Sequence, residues 1–369
     1  MNLLINGISS RSGGAIVYLS NLIENILKKN SDIKIYLIIE DSFQEIFKNI
    51  LSHNQIICVK KINIFGRILS EIVMINFLIK KYKITHILYP GGVSFPTFSR
   101  TKKIIVVQNM LPFSDKHIKK YRSPYQKIRL RLLKLLTMLS LQRSDAIIFI
   151  SKFCKTVIEK KYNLEKIKKD VIFLGSQPFF HKKNETKSLI RGRYFTYVSF
   201  IDYYKAHIEL IYGYNIYFRK GGAKKLYIIG DSNSEYLIKV QKLISDLGLE
   251  PQIKILPHQT KINLRNIYQN AHVNIFASQV ENCPNILFEI MASKQQALIS
   301  SFSPMPEFAK DTVIYFNSAS IYDISEKLLQ ADLIASEKPN YNINRAYLLV
   351  KKYSWEVTAS KTVDLLRSI

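Results

Sequence analysis

The chain has 369 residues, of which 47% are hydrophobic, so it is long enough for two domains with sizeable cores. Its mean hydropathy is close to zero, and no apolar run reaches the roughly 18 residues of a membrane-spanning helix, so we expect no such helix. Three cysteines, Cys58, Cys154 and Cys283, are far apart and form no metal or disulfide pattern. The first residues lack the basic region of a signal peptide, and we expect a cytoplasmic protein.

The formal net charge is +26, from 54 lysines and arginines against 28 acidic residues. A field of this sign attracts polyanions: nucleic acid, anionic lipid headgroups or phosphorylated substrates. A genome preference for lysine, isoleucine and asparagine raises the same count. The charge is nevertheless uneven, since residues 116–134 carry eight lysines or arginines and no acid.

The first half of the chain alternates between short apolar runs and longer helical segments. The runs with strand character are 3–6, 33–39, 56–59, 84–89, 104–108 and 144–150. This alternation predicts a parallel sheet with helices on both faces. After the first strand, Gly13 and Gly14 either let the backbone approach a phosphate or simply form a tight turn.

Gln108 and Asn109 come directly after the strand at 104–108. Ligands of such sheets gather at the carboxyl ends of the strands. We therefore expect both side chains to line a cleft as hydrogen-bonding groups. The alternative is that they only cap the turn.

Residues 127–141 have helical periodicity with one apolar and one basic face. The apolar face is formed by Ile128, Leu132, Leu135 and Leu139. The basic face is formed by Lys127, Arg131 and Lys134. A basic amphipathic helix is typical of proteins that lie on an anionic membrane. The alternative is an ordinary helix that packs on the sheet and leaves its basic face in water.

Residues 181–188 are polar and lack apolar periodicity, so we place the interdomain linker there. Strands and helices alternate again from about Tyr194. Lys205 lies in the loop after the first strand of this half, and His258 follows a later strand. His258 either contacts a ligand or is a surface residue.

The stretch Ala277–Ser293 carries two carboxylates, Glu281 and Glu289, eight positions apart. An apolar run precedes it and a helical run follows Pro284, since proline suits the first turn of a helix. Glu281 is then in the loop at the carboxyl end of a strand. The free N–H groups of residues 285–287 would form a site for a diphosphate. An ordinary strand–helix unit with two solvated glutamates fits the spacing equally well.

The spacing Glu281-x7-Glu289 resembles the Glu-x7-Glu motif of retaining, nucleotide-sugar-dependent glycosyltransferases of family four, which have the GT-B fold. The similarity extends loosely along nearly the whole chain. The matching segments are Gly13-Gly14, Ser144–Ser151, Val171–Gly175, Tyr197–His207, Ser278–Glu281, Glu289–Ala292, Pro306-Glu307 and Tyr353–Trp355.

This resemblance implies two Rossmann-like, doubly wound α/β domains that face a central cleft. The acceptor-binding domain would span residues 1–185 and the nucleotide-sugar-binding domain residues 186–350. A closing helix at 351–369 would pack back on the first domain.

The same resemblance guides the assignment of site residues. Lys205 would bind a phosphate, Glu281 the hydroxyls of the donor sugar, and Glu289 the ribose. The catalytic residues that we predict are Glu281, Lys205 and Gln108. The predicted donor-binding residues are Gly13, Gly14, Ser199, His258, Asn282, Cys283, Pro284, Asn285, Ile286 and Glu289. The predicted acceptor or membrane residues are Asn109, Lys127, Arg131 and Lys134.

Three departures from the family pattern concern the sugar and phosphate contacts. Phe200 stands where the family often has an arginine. Gln108-Asn109 replaces a His-Asp pair, and residues 282–284 replace the usual Gly-Phe-Gly. These changes leave the identity of the donor open.

The resemblance implies transfer of a sugar, with retention, from a UDP- or GDP-sugar to a glycan or lipid-linked acceptor. The leaving phosphate would take the acceptor proton. We expect no cofactor and no metal, since the chain has no Asp-x-Asp tripeptide. The basic first half favours a role in cell-surface polysaccharide synthesis (lipopolysaccharide, O-antigen or capsule), peripheral on the inner face of the cell membrane.

Two other functions compete with this one. A nucleotide-sugar epimerase on the same fold needs acid and base groups at the sugar, and the sequence offers only Glu281 there. A nucleic-acid-binding protein would explain the charge, but the sequence has no recognition module of that class. We therefore expect no nucleic-acid partner.

Overall fold

The first unit is built on a parallel sheet, seen in a computed structural model that describes residues 1–10, 13–60, 64–183, 189–336 and 341–369. Its strands are β1 (Asn2–Asn6), β2 (Lys34–Glu40), β3 (Ile56–Val59), β4 (His86–Tyr89), β5 (Lys102–Val107), β6 (Ala146–Phe149) and β7 (Lys168–Val171). The spatial order is β3-β2-β1-β4-β5-β6-β7, and all neighbours are parallel. Leu3, Leu4 and Ile5 of β1 are fully buried, as in strands that are covered on both faces.

Helices connect these strands. They are α1 (Gly13–Lys29), α2 (Gln44–Phe47), α3 (Ile64–Tyr82), α4 (Asp115–Lys120), α5 (Pro124–Gln142) and α6 (Lys152–Glu159). Ser123 caps α5 by accepting a hydrogen bond from the Gln126 N–H, and Pro124 occupies the first turn.

The second unit has the same plan. Its described strands are β8 (Tyr194–Val198), β9 (Lys225–Ile229), β10 (Ile253–Leu256), β11 (Val273–Phe276), β12 (Gln296–Ser300) and β13 (Ile314–Phe316). They are parallel in the order β10-β9-β8-β11-β12-β13. The connecting helices are α7 (His207–Arg219), α8 (Ser234–Asp246), α9 (Lys261–Asn270), α10 (Asn285–Ala292), α11 (Met305–Ala309), α12 (Ile321–Ser336) and α13 (Tyr341–Val350). None of the helices in the described ranges is both long and apolar enough to cross a membrane.

Neither unit is formed by one continuous stretch of the chain. The first comprises Met1–Ile118, Arg122–Gly175 and Ser354–Ile369, and the second comprises Lys119–Tyr121 and Ser176–Tyr353. The chain thus changes unit at Gly175–Ser176, whereas the predicted boundary between 185 and 186 lies outside the described residues. The inclusion of Lys119–Tyr121 in the second unit is not visible in the sequence.

The last helix, α14 (Trp355–Arg367), belongs to the first unit, as predicted for a closing helix. It packs on α1, where Trp355 meets Tyr18 edge to face at 6.1 Å, and Thr358 donates to the Phe173 carbonyl at 2.7 Å. The helix begins at Trp355 and not at 351, because the Ser354 hydroxyl accepts from the Glu356 N–H and starts a new helix there.

Gly175 provides a test of this packing. A Cβ at this position would lie 2.2 Å from Trp355 N and 2.5 Å from Trp355 Cγ, so Gly175→Ala must displace backbone or indole. We expect a loss of about 2–4 kcal/mol in the free energy of unfolding. Urea unfolding followed by fluorescence of Trp355, the one tryptophan of the chain, measures it.

Gly13→Ala is the matched control for this substitution. A Cβ at Gly13 meets nothing within 4 Å, so the change in stability should stay within about 0.5 kcal/mol. Equal stabilities of the two variants would contradict the close approach of Gly175 to α14.

Candidate functional site

The second sheet reverses its strand order between β8 and β11, which are neighbours in register. In parallel sheets a crevice opens at such a switch point, beyond the carboxyl ends of the two strands. The loops that follow these strands carry Lys205 and Glu281. Two residues 76 positions apart are thereby brought to one place.

The Lys205 loop is held by hydrogen bonds at both ends. Asp202 caps the short turn Tyr203–Lys205 by accepting from the Tyr203 N–H at 2.8 Å. The buried Tyr197 hydroxyl donates to the Lys205 carbonyl at 2.7 Å. Ala206, the next residue, has φ 55°, a left-handed conformation that is uncommon for alanine. The surrounding bonds therefore fix the position of Lys205.

Lys205 and Glu281 form a direct ion pair between Nζ and Oε1. The two side chains are only 7% and 14% exposed. Burial alone would lower the pKa of Lys205, but the charge of Glu281 outweighs it, with help from Tyr204 and Asp202, so the pKa is raised. The ion pair thus favours the charged form of Lys205. The sequence predicts separate ligands for Lys205 and Glu281 and gives no sign that the two residues bind each other.

The Glu281 loop leads into α10. Asn282 and Cys283 are buried, and Pro284 is the N-cap of the helix, one position before the predicted first turn. Leu287 N–H donates to the Pro284 carbonyl at 3.1 Å, so it is not a free donor, in contrast to the prediction for 285–287. The half-buried residues Asn285 and Ile286 supply the first N–H groups of the helix.

Asn285 has a further polar atom at this helix end. Its Oδ1 is buried and has no hydrogen-bond partner among the described residues. Buried polar atoms are normally satisfied, so an acceptor left open at a helix N-terminus fits a hydroxyl or amide of a ligand.

Glu289 lies on α10, half-buried between two polar side chains. Its Oε2 accepts from the Tyr268 hydroxyl at 3.2 Å, and its Oε1 accepts from Gln177 Nε2 at 3.3 Å. Burial raises the pKa of Glu289 to about 7, although the Tyr268 hydrogen bond and the charge of Lys261 act against it. Tyr268 and Gln177 were not predicted, because nothing in the sequence links them to Glu289.

A pocket opens at the carboxyl ends of β8, β9 and β10. It is lined by Ile201, Gly230, Asp231, Ser232, Leu237, Ile255, Leu256 and Pro257. Of the predicted donor-binding residues, His258 is exposed just beyond this lining. Gly230 is required here, because a Cβ would lie 2.1 Å from the Ser199 carbonyl oxygen and φ is +148°.

Ser199 is buried beside this pocket. Its Oγ lies 3.0 Å from Nε2 of His207, which is also buried. Burial, reinforced by the charge of Lys205, lowers the pKa of His207 to about 3. His207 is therefore neutral and fixes the Ser199 side chain.

The segment that holds the ion pair, α10 and the pocket corresponds to a known family. Residues 176–347 match the glycosyl transferases group 1. This glycosyltransferase segment comprises nearly all of the second unit, and the match supports sugar transfer as the activity. No curated protein sequence matches the chain.

Several solved structures share the fold of the whole chain. A glycosyltransferase from Rickettsia africae is 14% identical with a TM-score of 0.75, over 100% of this chain and 98% of the other. HepE of Anabaena, solved with UDP and glucose, is 12% identical with a TM-score of 0.76, over 100% of both chains. Sucrose-phosphate synthase of Thermosynechococcus elongatus is 12% identical with a TM-score of 0.78, over 100% and 98%. The predicted α/β class of the GT-B type is confirmed.

The predicted residues outside the glycosyltransferase segment belong to the first unit. Gly13 and Gly14 are exposed at the start of α1. Gln108 is half-buried after β5, and its Nε2 has no partner among the described residues. Asn109 is exposed, and its Oδ1 accepts from the Leu111 N–H at 3.0 Å, which is the turn-capping role.

Helix α5 turns its predicted apolar face outward. Its exposed apolar residues are Tyr125, Ile128, Leu132, Leu135 and Leu139, at 37–67% exposure. We call this set the α5 stripe. The helix is anchored instead through Leu130, Met138 and Leu141. The helix therefore does not pack through its predicted apolar face.

The basic residues of α5 differ in their surroundings. Arg131 is exposed and Lys127 is half-buried, whereas Lys134 pairs with Asp115 at 3.3 Å. At 100° per residue, Lys127 and Arg131 border one side of the α5 stripe, and the exposed Arg129 borders the other.

Glu289 makes stability depend on pH. The folded protein holds this proton more tightly than the unfolded chain, whose glutamate pKa is near 4.5, so stability falls as pH rises from about 4.5 through 7. Glu289→Gln should remove this slope. We expect the variant to gain up to about 3 kcal/mol relative to the parent across that range, measured by urea unfolding.

Glu326→Gln, at an exposed position on α12, is the control. The same slope in the parent and in Glu289→Gln would mean that Glu289 ionises as it does in the unfolded chain.

Proposed function

We propose that this protein is a retaining, metal-independent glycosyltransferase that moves a sugar from a nucleotide-diphosphate sugar to a glycan or lipid-linked acceptor. The observation that carries the proposal is the Lys205–Glu281 pair at the switch point of the second sheet, within the segment that matches the group 1 family. The protein would act in cell-surface polysaccharide synthesis.

The departing diphosphate needs compensation of its charge. Lys205 is a buried cation, and the first N–H groups of α10, from Asn285 and Ile286, add the positive end of a helix. The diphosphate would replace Glu281 as the partner of Lys205. Glu281 is then released to accept hydrogen bonds from hydroxyls of the donor sugar.

The nucleoside would occupy the pocket between Gly230 and Pro257, with backbone contacts to the base. Glu289 suits the ribose, since a carboxylate accepts hydrogen bonds from both hydroxyls of a diol. HepE was solved with UDP and with UDP-glucose, which makes uridine nucleotides the first donors to test.

Retention places the acceptor on the face from which the diphosphate leaves. The leaving phosphate oxygen then takes the acceptor proton, and no separate protein base is needed. An epimerase would form its product without an acceptor, which separates the two reactions experimentally.

The α5 stripe favours an acceptor at an acidic membrane surface, with the protein peripheral on its cytoplasmic side. Five exposed apolar side chains bordered by arginine and lysine match the interfacial region of a bilayer, where acyl chains meet anionic headgroups. The net charge of +26 acts in the same direction.

The donor site is tested by thermal shift with UDP, GDP and their sugar conjugates, followed by release of nucleoside diphosphate with a lipid extract as the acceptor source. We expect Lys205→Ala to raise the dissociation constant of the diphosphate by about 10- to 100-fold, because one phosphate cation is lost. Glu281→Gln should lower kcat by about 100-fold and bind the diphosphate at least as well as the parent, since Lys205 is released.

Glu326→Gln is again the matched control. A parent protein that shifts with no nucleotide would contradict the proposal, as would full turnover in Glu281→Gln. A product formed without any acceptor would favour the epimerase.

Membrane binding is tested by co-sedimentation with vesicles of phosphatidylglycerol and of phosphatidylcholine. Replacing Ile128, Leu132 and Leu135 together by serine should lower binding to the anionic vesicles by tenfold or more, because the inserted apolar area is lost. Replacing Lys127 and Arg131 by serine should remove the preference for anionic lipid.

The control replaces three apolar residues elsewhere that are together more exposed, Ile238, Leu333 and Leu348. If the α5 variant sediments like this control, or if the α5 stripe instead supports a concentration-dependent dimer, the membrane role is wrong.

A further inference from the structure

Three consecutive residues, Lys119–Tyr121, belong to the second unit although the chain on both sides of them belongs to the first. Lys119 and Lys120 are the last residues of α4, and Tyr121 lies two residues before Ser123, the N-cap of α5. Within the second unit, Lys120 and Tyr121 make specific side-chain contacts.

Tyr121 contacts the Lys205 loop. The side chain is buried at 5% exposure, and its hydroxyl donates to Asp202 Oδ2 at 2.7 Å. Its ring packs edge to face on Tyr203, with the centroids 5.1 Å apart. Asp202 caps the turn that carries Lys205. The hydrogen bond to Asp202 therefore lets Tyr121 stabilise that turn.

Lys120 contacts the Glu281 loop. Its Nζ lies 3.2 Å from Glu209 Oε1 on α7 and 3.3 Å from Gln279 Oε1. Gln279 is two residues before Glu281, and its N–H donates to the Tyr204 carbonyl at 2.8 Å. Lys120 thus links Glu209 of α7 to Gln279, whose N–H joins the Glu281 loop to the Lys205 loop.

We propose that Lys120 and Tyr121 are positioning residues for the diphosphate site. They hold the Lys205 and Glu281 loops at the separation at which a diphosphate can replace the ion pair. Neither residue needs to touch the donor. The inference rests on the proposed function, because it assigns the held loops to the donor diphosphate.

The geometry separates this role from general stabilisation. Tyr121 and Lys120 contact the loops that carry Lys205 and Glu281, whereas neither lines the proposed nucleoside pocket. Loss of either contact should weaken binding of the diphosphate and leave binding of the nucleoside unchanged.

The experiment measures binding of UDP and GDP by calorimetry, and of uridine and guanosine by ligand-observed NMR. Tyr121→Phe keeps the ring and removes the hydroxyl, and we expect its diphosphate dissociation constant to rise by about 3- to 10-fold. Lys120→Ala, at a half-buried position, should give a similar rise. Nucleoside affinity should match the parent in both.

Two matched controls accompany these variants. Tyr322→Phe removes a hydroxyl from a tyrosine that is 75% exposed, and Lys119→Ala removes the same charge from the exposed neighbour of Lys120. A loss in Lys119→Ala equal to that in Lys120→Ala would mean that only net charge matters, and would overturn the role of Lys120.

A double-mutant cycle tests the Tyr121–Asp202 bond itself. If Tyr121 acts through Asp202, adding Tyr121→Phe to Asp202→Ala should cause no further loss of diphosphate affinity. Additive losses would overturn that route.

The outcomes also separate this inference from the proposed function. A parent protein that binds neither diphosphate defeats both. A parent that binds one, with unchanged affinity in Tyr121→Phe and Lys120→Ala, defeats the positioning role alone. A parallel loss of nucleoside and diphosphate affinity would mean general loosening of the unit. That result would also contradict the positioning role.

Discussion

The buried ion pair between Lys205 and Glu281 is the constraint on which the second unit's site depends. Two charges with little exposure are stable only if each is held where it compensates the other. The sheet supplies the coarse placement, since β8 and β11 are adjacent at the reversal of strand order. Hydrogen bonds donated by the Tyr197 hydroxyl and the Gln279 N–H, and one accepted by the Asp202 carboxylate, then fix the loops. These hydrogen bonds keep the two charges in contact.

The site holds its charges in compensated form. Lys205 is neutralised by Glu281, and Glu289 has a pKa near 7 between a tyrosine and an amide. The proposed nucleotide-sugar donor would offer these groups alternative partners: phosphate oxygens for the lysine and hydroxyl donors for the carboxylates. A ligand of that composition exchanges one set of partners for another, which avoids leaving an unpaired charge in the interior.

The first unit has a different character at its surface. The α5 stripe is apolar and exposed, although a helix between two parallel strands normally turns its apolar face to the sheet. Leu130, Met138 and Leu141 provide the anchoring contacts, so the helix has a second apolar face. Exposed apolar area of this kind on a basic helix is typical of surfaces that meet lipid or another protein.

The sequence by itself determined the two α/β units, most of their strands, and the strand–loop–helix unit that carries Glu281 and Glu289, because these depend on local periodicity and on proline. The Glu281-x7-Glu289 spacing in this unit also indicated a glycosyltransferase. Only the tertiary structure decided that Lys205 pairs with Glu281 and that Lys119–Tyr121 joins the second unit. Only the tertiary structure decided which face of α5 is buried. Pairing and burial depend on residues distant along the chain, whereas periodicity records only that two faces differ.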